Sequence, residues 1–224
     1  MKQTPVHENH NIDVLNLFPS NCKKILEFGS SSGALAREYK KNNTKCKYIG
    51  VEINSEFGEL SKRHCDEVII GNCEDFDQDF WSMQKDVDLY VFADVLEHLI
   101  DPWALLRRIN QCMKVGSKVI ASIPNIAHWS IFHLLSTGDF RYAESGLLDR
   151  THLRFFTRKT IEELFEQAGF VNISIQGRVF QHAGMEDIIS IIKRLATRAG
   201  GNAELAAIEA RNFQYLITAE KIKS

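Results

Sequence analysis

Short apolar runs alternate along this chain with stretches of helical composition, and that alternation limits the folds open to it. Ile25-Leu26-Glu27-Phe28 runs into a glycine-serine turn and then a helical stretch from Ala34 to Lys41. Tyr48 to Glu52 is a second strand, followed by a helix from Ser55 to about Cys65. Glu67 to Ile70, Asp88 to Phe92 and Lys118 to Ile123 are the third, fourth and fifth strands. Pro102 sits in the first turn of a helix reaching about Met113, where its missing N–H costs nothing. Thr157 is placed to cap a helix from Arg158 to Ala168, which Gly169 closes. Val171 to Ile175 and Phe213 to Ala219 are the last two strands. Such a pattern predicts an α/β fold: a seven-stranded, mostly parallel sheet with helices on both faces.

Composition narrows the function classes. A chain of 224 residues, 44% hydrophobic and 25% charged, can build its own core as a single domain over 1–224. Its 27 Lys and Arg against 29 Asp and Glu argue against a surface that tracks nucleic-acid phosphates. Cysteines at 22, 46, 65, 73 and 112 form no C-x-x-C pair, so they are expected as reduced thiols of a cytoplasmic protein. The first residues lack the apolar core of a secretory signal. Val119 to Gly138 carries no Asp, Glu, Lys or Arg, yet Pro124, Asn125, His128 and His133 interrupt it, so a strand, a turn and an amphipathic helix are expected there in place of a membrane span. Glu186 to Arg198 is patterned as an amphipathic helix that either packs on the sheet or forms a dimer face.

In open parallel sheets, ligands sit at the carboxyl ends of the strands. After the first strand stands Glu27-Phe28-Gly29-Ser30-Ser31-Ser32-Gly33, small residues that let a ligand approach the backbone. Ser31 breaks the G-x-G-x-x-G fingerprint of dinucleotide binding. Glu27 would sit badly against a pyrophosphate and suits an ammonium or sulfonium group. Glu52 ends the second strand nineteen residues after Gly33, where a carboxylate can accept both hydroxyls of a ribose, with Ile53 beside it. After the third strand, Asn72 in Gly71-Asn72-Cys73-Glu74 can both donate and accept towards a base edge. No pair of His, Asp or Glu stands at ligand spacing on an expected helix face, so no metal site is expected.

Taken in order, Glu27-x-Gly29-x-Ser31-x-Gly33, Glu52, Asn72-Cys73-Glu74 and Ala93-Asp94-Val95-Leu96-Glu97-His98-Leu99-x-Asp101-Pro102 resemble the class I S-adenosylmethionine-dependent methyltransferases. The resemblance covers at least Ile25 to Phe170 and implies a Rossmann-like sheet. Ser122-Ile123-Pro124-Asn125-x-x-His128-Trp129 also resembles the MetW proteins of methionine biosynthesis. The stretch from Gly146 to Thr157 is similar to methyltransferases of small-molecule and glycan pathways. By that resemblance, Glu27, Gly29, Ser30, Ser31 and Gly33 would cradle the methionine part of S-adenosylmethionine. Glu52 and Ile53 would hold the ribose side, Asn72, Cys73 and Glu74 would flank adenine, and Ala93 and Asp94 would line the methyl-donor side. Ser31 replaces the usual middle glycine, and Asn72 stands where an Asp is frequent.

An oxygen acceptor benefits from a base, and His98, His128 and His152 are the candidates. His128 and His152 lie in a segment of about thirty residues, 126–156, between the fifth strand and the Arg158 helix. An insertion of that length is a lid or substrate platform, or an extra helix that covers the sheet edge. It is rich in arginine and aromatic residues, among them Trp129, Arg150 and Arg154, which suit a small anionic, sugar or nucleotide-sugar acceptor. Internal pairing of Arg150 or Arg154 with Asp149 or Glu144 is the alternative. Two other functions stay open. One is a MetW-like partner of another enzyme that binds the cofactor without transferring its methyl. The other is a nicotinamide-binding oxidoreductase, against which Ser31 and the D-V-L-E-H-L string speak.

Overall fold

The structure, a computed structural model, describes residues 8–222. Strands β1 (Lys24–Phe28), β2 (Lys47–Glu52), β3 (Glu67–Ile70), β4 (Leu89–Ala93), β5 (Lys118–Pro124), β6 (Val171–Val179) and β7 (Asn212–Glu220) form one sheet in the order β3-β2-β1-β4-β5-β7-β6. All ladders are parallel except those of β7, which runs antiparallel to β5 and β6. The order reverses beside β1, so the carboxyl ends of β1 and β4 border the crevice where such sheets take ligands. This is the sheet expected from the alternation.

Strand periodicity sorts the core onto two faces. Leu26, Phe28, Tyr90, Phe92, Val119 and Ala121 point to one side, against Trp81, Leu105, Leu106, Ile109, Leu164 and Phe165. Those partners come from α4 (Gln78–Ser82), α5 (Pro102–Cys112) and α7 (Arg158–Gln167). Ile25, Tyr48, Leu89, Val91 and Ile120 point to the other side, against Val14 of α1 (Ile12–Leu15) and Leu35, Ala36 and Tyr39 of α2 (Ala34–Lys40). Glu27 falls on this second face by the same alternation, and its cross-strand neighbour on β2 is Gly50. A Cβ at 50 would lie 2.6 Å from the Ser30 hydroxyl oxygen, so the glycine lets the turn after β1 pack against β2.

The sequence misplaces several element ends. The helix after β2, α3 (Ser55–Ser61), stops short of Cys65 because its last turn tightens to three-residue bonds, Arg63 N–H to the Leu60 carbonyl and His64 N–H to the Ser61 carbonyl. Strand β6 continues past Ile175 because β7 pairs with Gln176, Gly177 and Arg178, residues without strand composition of their own. Between β6 and β7 lies a helical hairpin. Its first arm, α8 (Met185–Arg198), is the expected amphipathic helix, and its second, α9 (Ala203–Arg211), packs Ala207 and Ala210 against Met185, Ile189 and Ile192. The α9 helix was not expected from sequence, although Asn202 caps it by accepting from the Leu205 N–H at 3.0 Å.

The 126–156 segment contains one helix, α6 (Trp129–Ser136), and an ordered coil. Ile131, Leu147 and Leu148 bury together as a small core under it. Asn125 ties its start to the far end of the chain by donating to the carbonyls of Glu209 at 2.9 Å and Asn212 at 2.7 Å. Among the described residues no helix is long and apolar enough to cross a membrane.

Candidate active site at the carboxyl edge of the sheet

The turn after β1 is shaped by backbone conformation. Gly29, Ser31 and Gly33 all take positive φ, at 69°, 47° and 76°. A Cβ on Gly29 would lie 2.6 Å from Cγ2 of Val95, so glycine also lets the turn meet the loop after β4. Ser30 is buried and receives a hydrogen bond from the Ser61 hydroxyl at 3.0 Å, which fastens the turn to α3. Ser31 is the departure from the glycine pattern, and it occupies the left-handed region a glycine would take freely. Ser31→Gly removes strain of about 1–2 kcal/mol and costs about 0.5–1 kcal/mol of unfolded-chain entropy. Thermal unfolding is therefore expected to show a net gain between about 0 and 1.5 kcal/mol, with cofactor affinity unchanged within twofold.

Two buried carboxylates frame the turn. Glu27 accepts from the Tyr48 hydroxyl at 2.9 Å. Burial pushes its carboxyl up to about 8, Tyr48 pulls it back, and the neighbouring Glu52 charge raises it. Glu52 accepts from the Ser31 N–H at 2.8 Å and the Asn54 N–H at 3.0 Å. Ile53 beside it is 58% exposed, an apolar face at the mouth of the site. Asn72 caps the short turn at Cys73–Asp75, accepting from the Glu74 N–H at 3.1 Å. Cys73 is buried, and burial pushes its thiol up to about 12, so it is packing and not a nucleophile. Glu74 is committed to backbone: it accepts from Ile100 N–H at 3.0 Å and Asp101 N–H at 2.7 Å. It thereby anchors the loop that leads from β4 into α5, where Asp101 caps the helix through the Ala104 N–H at 2.9 Å.

The loop after β4 carries Ala93, Asp94, Glu97 and His98. Asp94, at φ 57°, accepts from the Ser122 hydroxyl at 3.1 Å and from the Gln214 amide. The structure brings His98 and His152 together, with ring centres 4.8 Å apart, and leaves His128 elsewhere. His128 caps α6, with Nδ1 2.8 Å from the Ser130 hydroxyl, and burial lowers its imidazole to about 4. Burial also lowers His98 and His152, and each depends on a carbonyl for its orientation: Thr151 for His98 at 3.2 Å, Leu147 for His152 at 3.3 Å. Glu97 was not singled out from the sequence. It is 1% exposed and neither of its carboxylate oxygens has a hydrogen-bond partner among the described residues. Burial raises its carboxyl well above the ordinary range, and the charges of Asp94 and Asp149 add to that. The signal was its place in Asp94-Val95-Leu96-Glu97-His98, a run that sets three titratable residues just past the carboxyl end of β4.

The arginines expected at the acceptor have partners of their own. Arg150 pairs with Glu144 at 2.7 Å, both exposed, as the internal-pairing alternative had it. Arg154 donates to the Ile100 carbonyl at 3.1 Å and lies over the Trp103 ring. Trp129 packs against the α8–α9 core, beside His128 and His182.

A model of the family described as a methyltransferase domain matches residues 9–175. The chain belongs to this methyltransferase family. Solved structures carry the same fold. One is a Thermotoga maritima S-adenosylmethionine-dependent methyltransferase, described as a possible histamine N-methyltransferase, at 19% identity and TM-score 0.60 over 93% of this chain and 85% of that one. Another is phosphoethanolamine N-methyltransferase 2 of Haemonchus contortus bound to S-adenosylmethionine, at 17% identity and TM-score 0.60 over 95% of this chain and 52% of that one. Human N-acetylserotonin methyltransferase, also with S-adenosylmethionine, aligns at 18% identity and TM-score 0.58 over 95% of this chain and 51% of that one. This chain thus spans about half the length of the last two. No curated protein matches it in sequence. The methyltransferase's cofactor is S-adenosylmethionine. The site's chemistry fits it: a buried carboxylate under a glycine turn suits a cation, a second buried carboxylate keeps free acceptor capacity, and an exposed apolar residue, Ile53, stands beside it.

Proposed function

We propose that this methyltransferase transfers the methyl group to an oxygen of a small anionic or sugar-like acceptor, with residues 1–224 acting as one catalytic domain and 126–156 as its acceptor platform. The observation that carries this reading is the His98–His152 pair, which the fold holds against the buried carboxylate of Glu97 at the carboxyl end of β4. Glu27 and the Gly29–Gly33 turn hold the methionine end of the cofactor, Glu52 and Ile53 the ribose side, Asn72 the adenine side, and Ala93 and Asp94 the donor side. When bound, S-adenosylmethionine would supply an activated methyl group carried on a sulfonium sulfur that is a good leaving group. The chain's own residues orient the acceptor and deal with its proton. His98 and His152, kept neutral by burial, present ring lone pairs towards that proton.

Arg150 and Arg154 supply the anionic specificity. Arg150's exposed pair with Glu144 is worth under about 1 kcal/mol, so an acceptor carboxylate or phosphate displaces Glu144 at little cost. The test is formation of S-adenosylhomocysteine across a panel of hydroxy acids, sugars and nucleotide sugars. Turnover is expected for anionic members, and Arg150→Ala is expected to raise their KM roughly tenfold, the loss of one charged hydrogen bond, with kcat little changed. Cofactor binding without turnover on any acceptor would move the protein to the partner role.

A further inference from the structure

We infer that Glu97, His98 and His152 form a binding site for a divalent transition-metal ion. Two independent features lead there. One ligand atom from each of the three side chains lies within 4.8 Å of the others. The Glu97 and His152 side chains are 2% and 6% exposed, with Oε1 of Glu97 4.0 Å from Nε2 of His152. The first feature is the state of Glu97: both oxygens are enclosed and take no hydrogen bond among the described residues. A buried carboxylate with no donor costs a protein stability unless something else fills its lone pairs. The second is the orientation of the rings. His98 places Nδ1 3.2 Å from the Thr151 carbonyl, and His152 places Nδ1 3.3 Å from the Leu147 carbonyl. A carbonyl can only accept, and the Thr151 hydroxyl, 3.1 Å from Nδ1 of His98, gives its own proton to Asp149 at 2.7 Å and so also accepts there; each Nδ1 therefore carries the proton and each Nε2 offers a lone pair. Metal-ligating histidines are held in this way, their outer nitrogen donating to backbone oxygen.

Two imidazoles and one carboxylate select the class of ion. Imidazole suits Zn²⁺, Fe²⁺ and neighbouring first-row ions such as Co²⁺, the carboxylate admits Mn²⁺ as well, and Mg²⁺ and Ca²⁺ prefer all-oxygen shells. Three protein ligands leave coordination positions open, as catalytic sites do. Binding would draw the three atoms in to about 3–3.5 Å apart, the spacing set by metal–ligand bonds of about 2 Å. The platform is built to allow this: Leu153 and Arg154 donate their N–H groups to the Glu97 backbone carbonyl at 2.8 and 2.9 Å, so the His152 segment is already fastened to the Glu97 turn. The inference deepens the proposed acceptor site and rests on its placement there. With the ion bound, the two imidazoles would serve as its ligands in place of acting as bases: the ion would take the acceptor's oxygen as a further ligand and lower its pKa, and the oxygen's proton would pass to solvent.

The test reads metal binding in the purified full chain, without cofactor or acceptor. After chelation and dialysis, titration calorimetry with Mn²⁺, Co²⁺ and Zn²⁺ is expected to show one site per chain. Bound Co²⁺ should give visible absorption bands that Mg²⁺ does not perturb. Glu97→Gln and His152→Ala are each expected to weaken binding at least tenfold, with far-ultraviolet dichroism confirming the fold; His98→Ala serves if either fails to fold. No stoichiometric binding of any of the three ions to the wild type would overturn the inference, as would unchanged affinity in folded variants. Metal binding without turnover on any acceptor would leave the site standing and sink only the O-methylation reading.

Discussion

S-adenosylmethionine is expected to bind about tenfold more tightly for each pH unit between pH 5 and pH 7, roughly a hundredfold in all. The cause is Glu27. Burial pushes its carboxyl from an ordinary 4.5 up to about 8. In the free protein at pH 7, about nine-tenths of the molecules therefore carry a neutral Glu27. The cofactor's ammonium and sulfonium charges favour the carboxylate, so binding expels that proton. Affinity then follows the fraction of Glu27 already ionised, which rises tenfold per unit below 8. Calorimetry in buffers of different ionisation enthalpy should find close to one proton released per cofactor at pH 7. Glu27→Gln keeps the Tyr48 contact and removes the titration, so its affinity should be low and flat with pH. The stability of the free protein runs the other way. Its folded-state value lies above the unfolded one, so the stabilisation from a neutral Glu27 is whole below about pH 4.5 and is lost as pH rises through 8. Glu27→Gln is accordingly expected to be more stable than wild type at pH 8 while binding cofactor worse. A pH-independent wild-type affinity would mean that Glu27 does not face the cofactor's charge.

The sheet and the glycine turn were legible because local pattern decides them. Apolar runs of four to six residues between turn residues leave few alternatives once seven strands are counted, and β1, β3 and α7 stand within a residue of their expected bounds. What stayed hidden depends on distant partners. Residues 176–179 become strand only because β7 lies alongside. The α9 helix is held by Met185 and Ile189, which are some twenty residues away in sequence. Motif strings mark a place in the fold more faithfully than they mark a role. Within D-V-L-E-H-L-x-D-P, Asp101 and Pro102 start a helix, while Glu97 and His98 meet His152 in a buried cluster. Glu74 and Asn125 have the look of ligand residues and serve as backbone latches. The three histidines are alike in sequence; only the pairing of the Leu153 and Arg154 N–H groups with Glu97 shows that His152 joins His98 and His128 does not.

Glu52→Gln is expected to weaken S-adenosylmethionine binding by about a thousandfold. A carboxylate has about four lone-pair positions. Glu52 spends one on the Ser31 N–H and one on the Asn54 N–H, one from each oxygen, which leaves one free acceptor position per oxygen. Two vicinal ribose hydroxyls match that remainder. Hydrogen bonds to a buried charge are worth about 1.5–3 kcal/mol each, so the pair contributes about 3–6 kcal/mol, a hundredfold to beyond ten-thousandfold. The amide of Gln loses one acceptor outright and turns an N–H towards either Ser31 or Asn54, both of which are donors there. That second effect also loosens the turn, so loss of affinity alone does not prove the ribose contact. The distinguishing ligand is a 2′-deoxy analogue of S-adenosylhomocysteine. Wild type should prefer the parent over the analogue by ten- to a hundredfold, and Glu52→Gln should bind the two almost equally. If the variant keeps the wild-type preference, Glu52 is a brace for the Ser31 turn and the ribose is held by another residue.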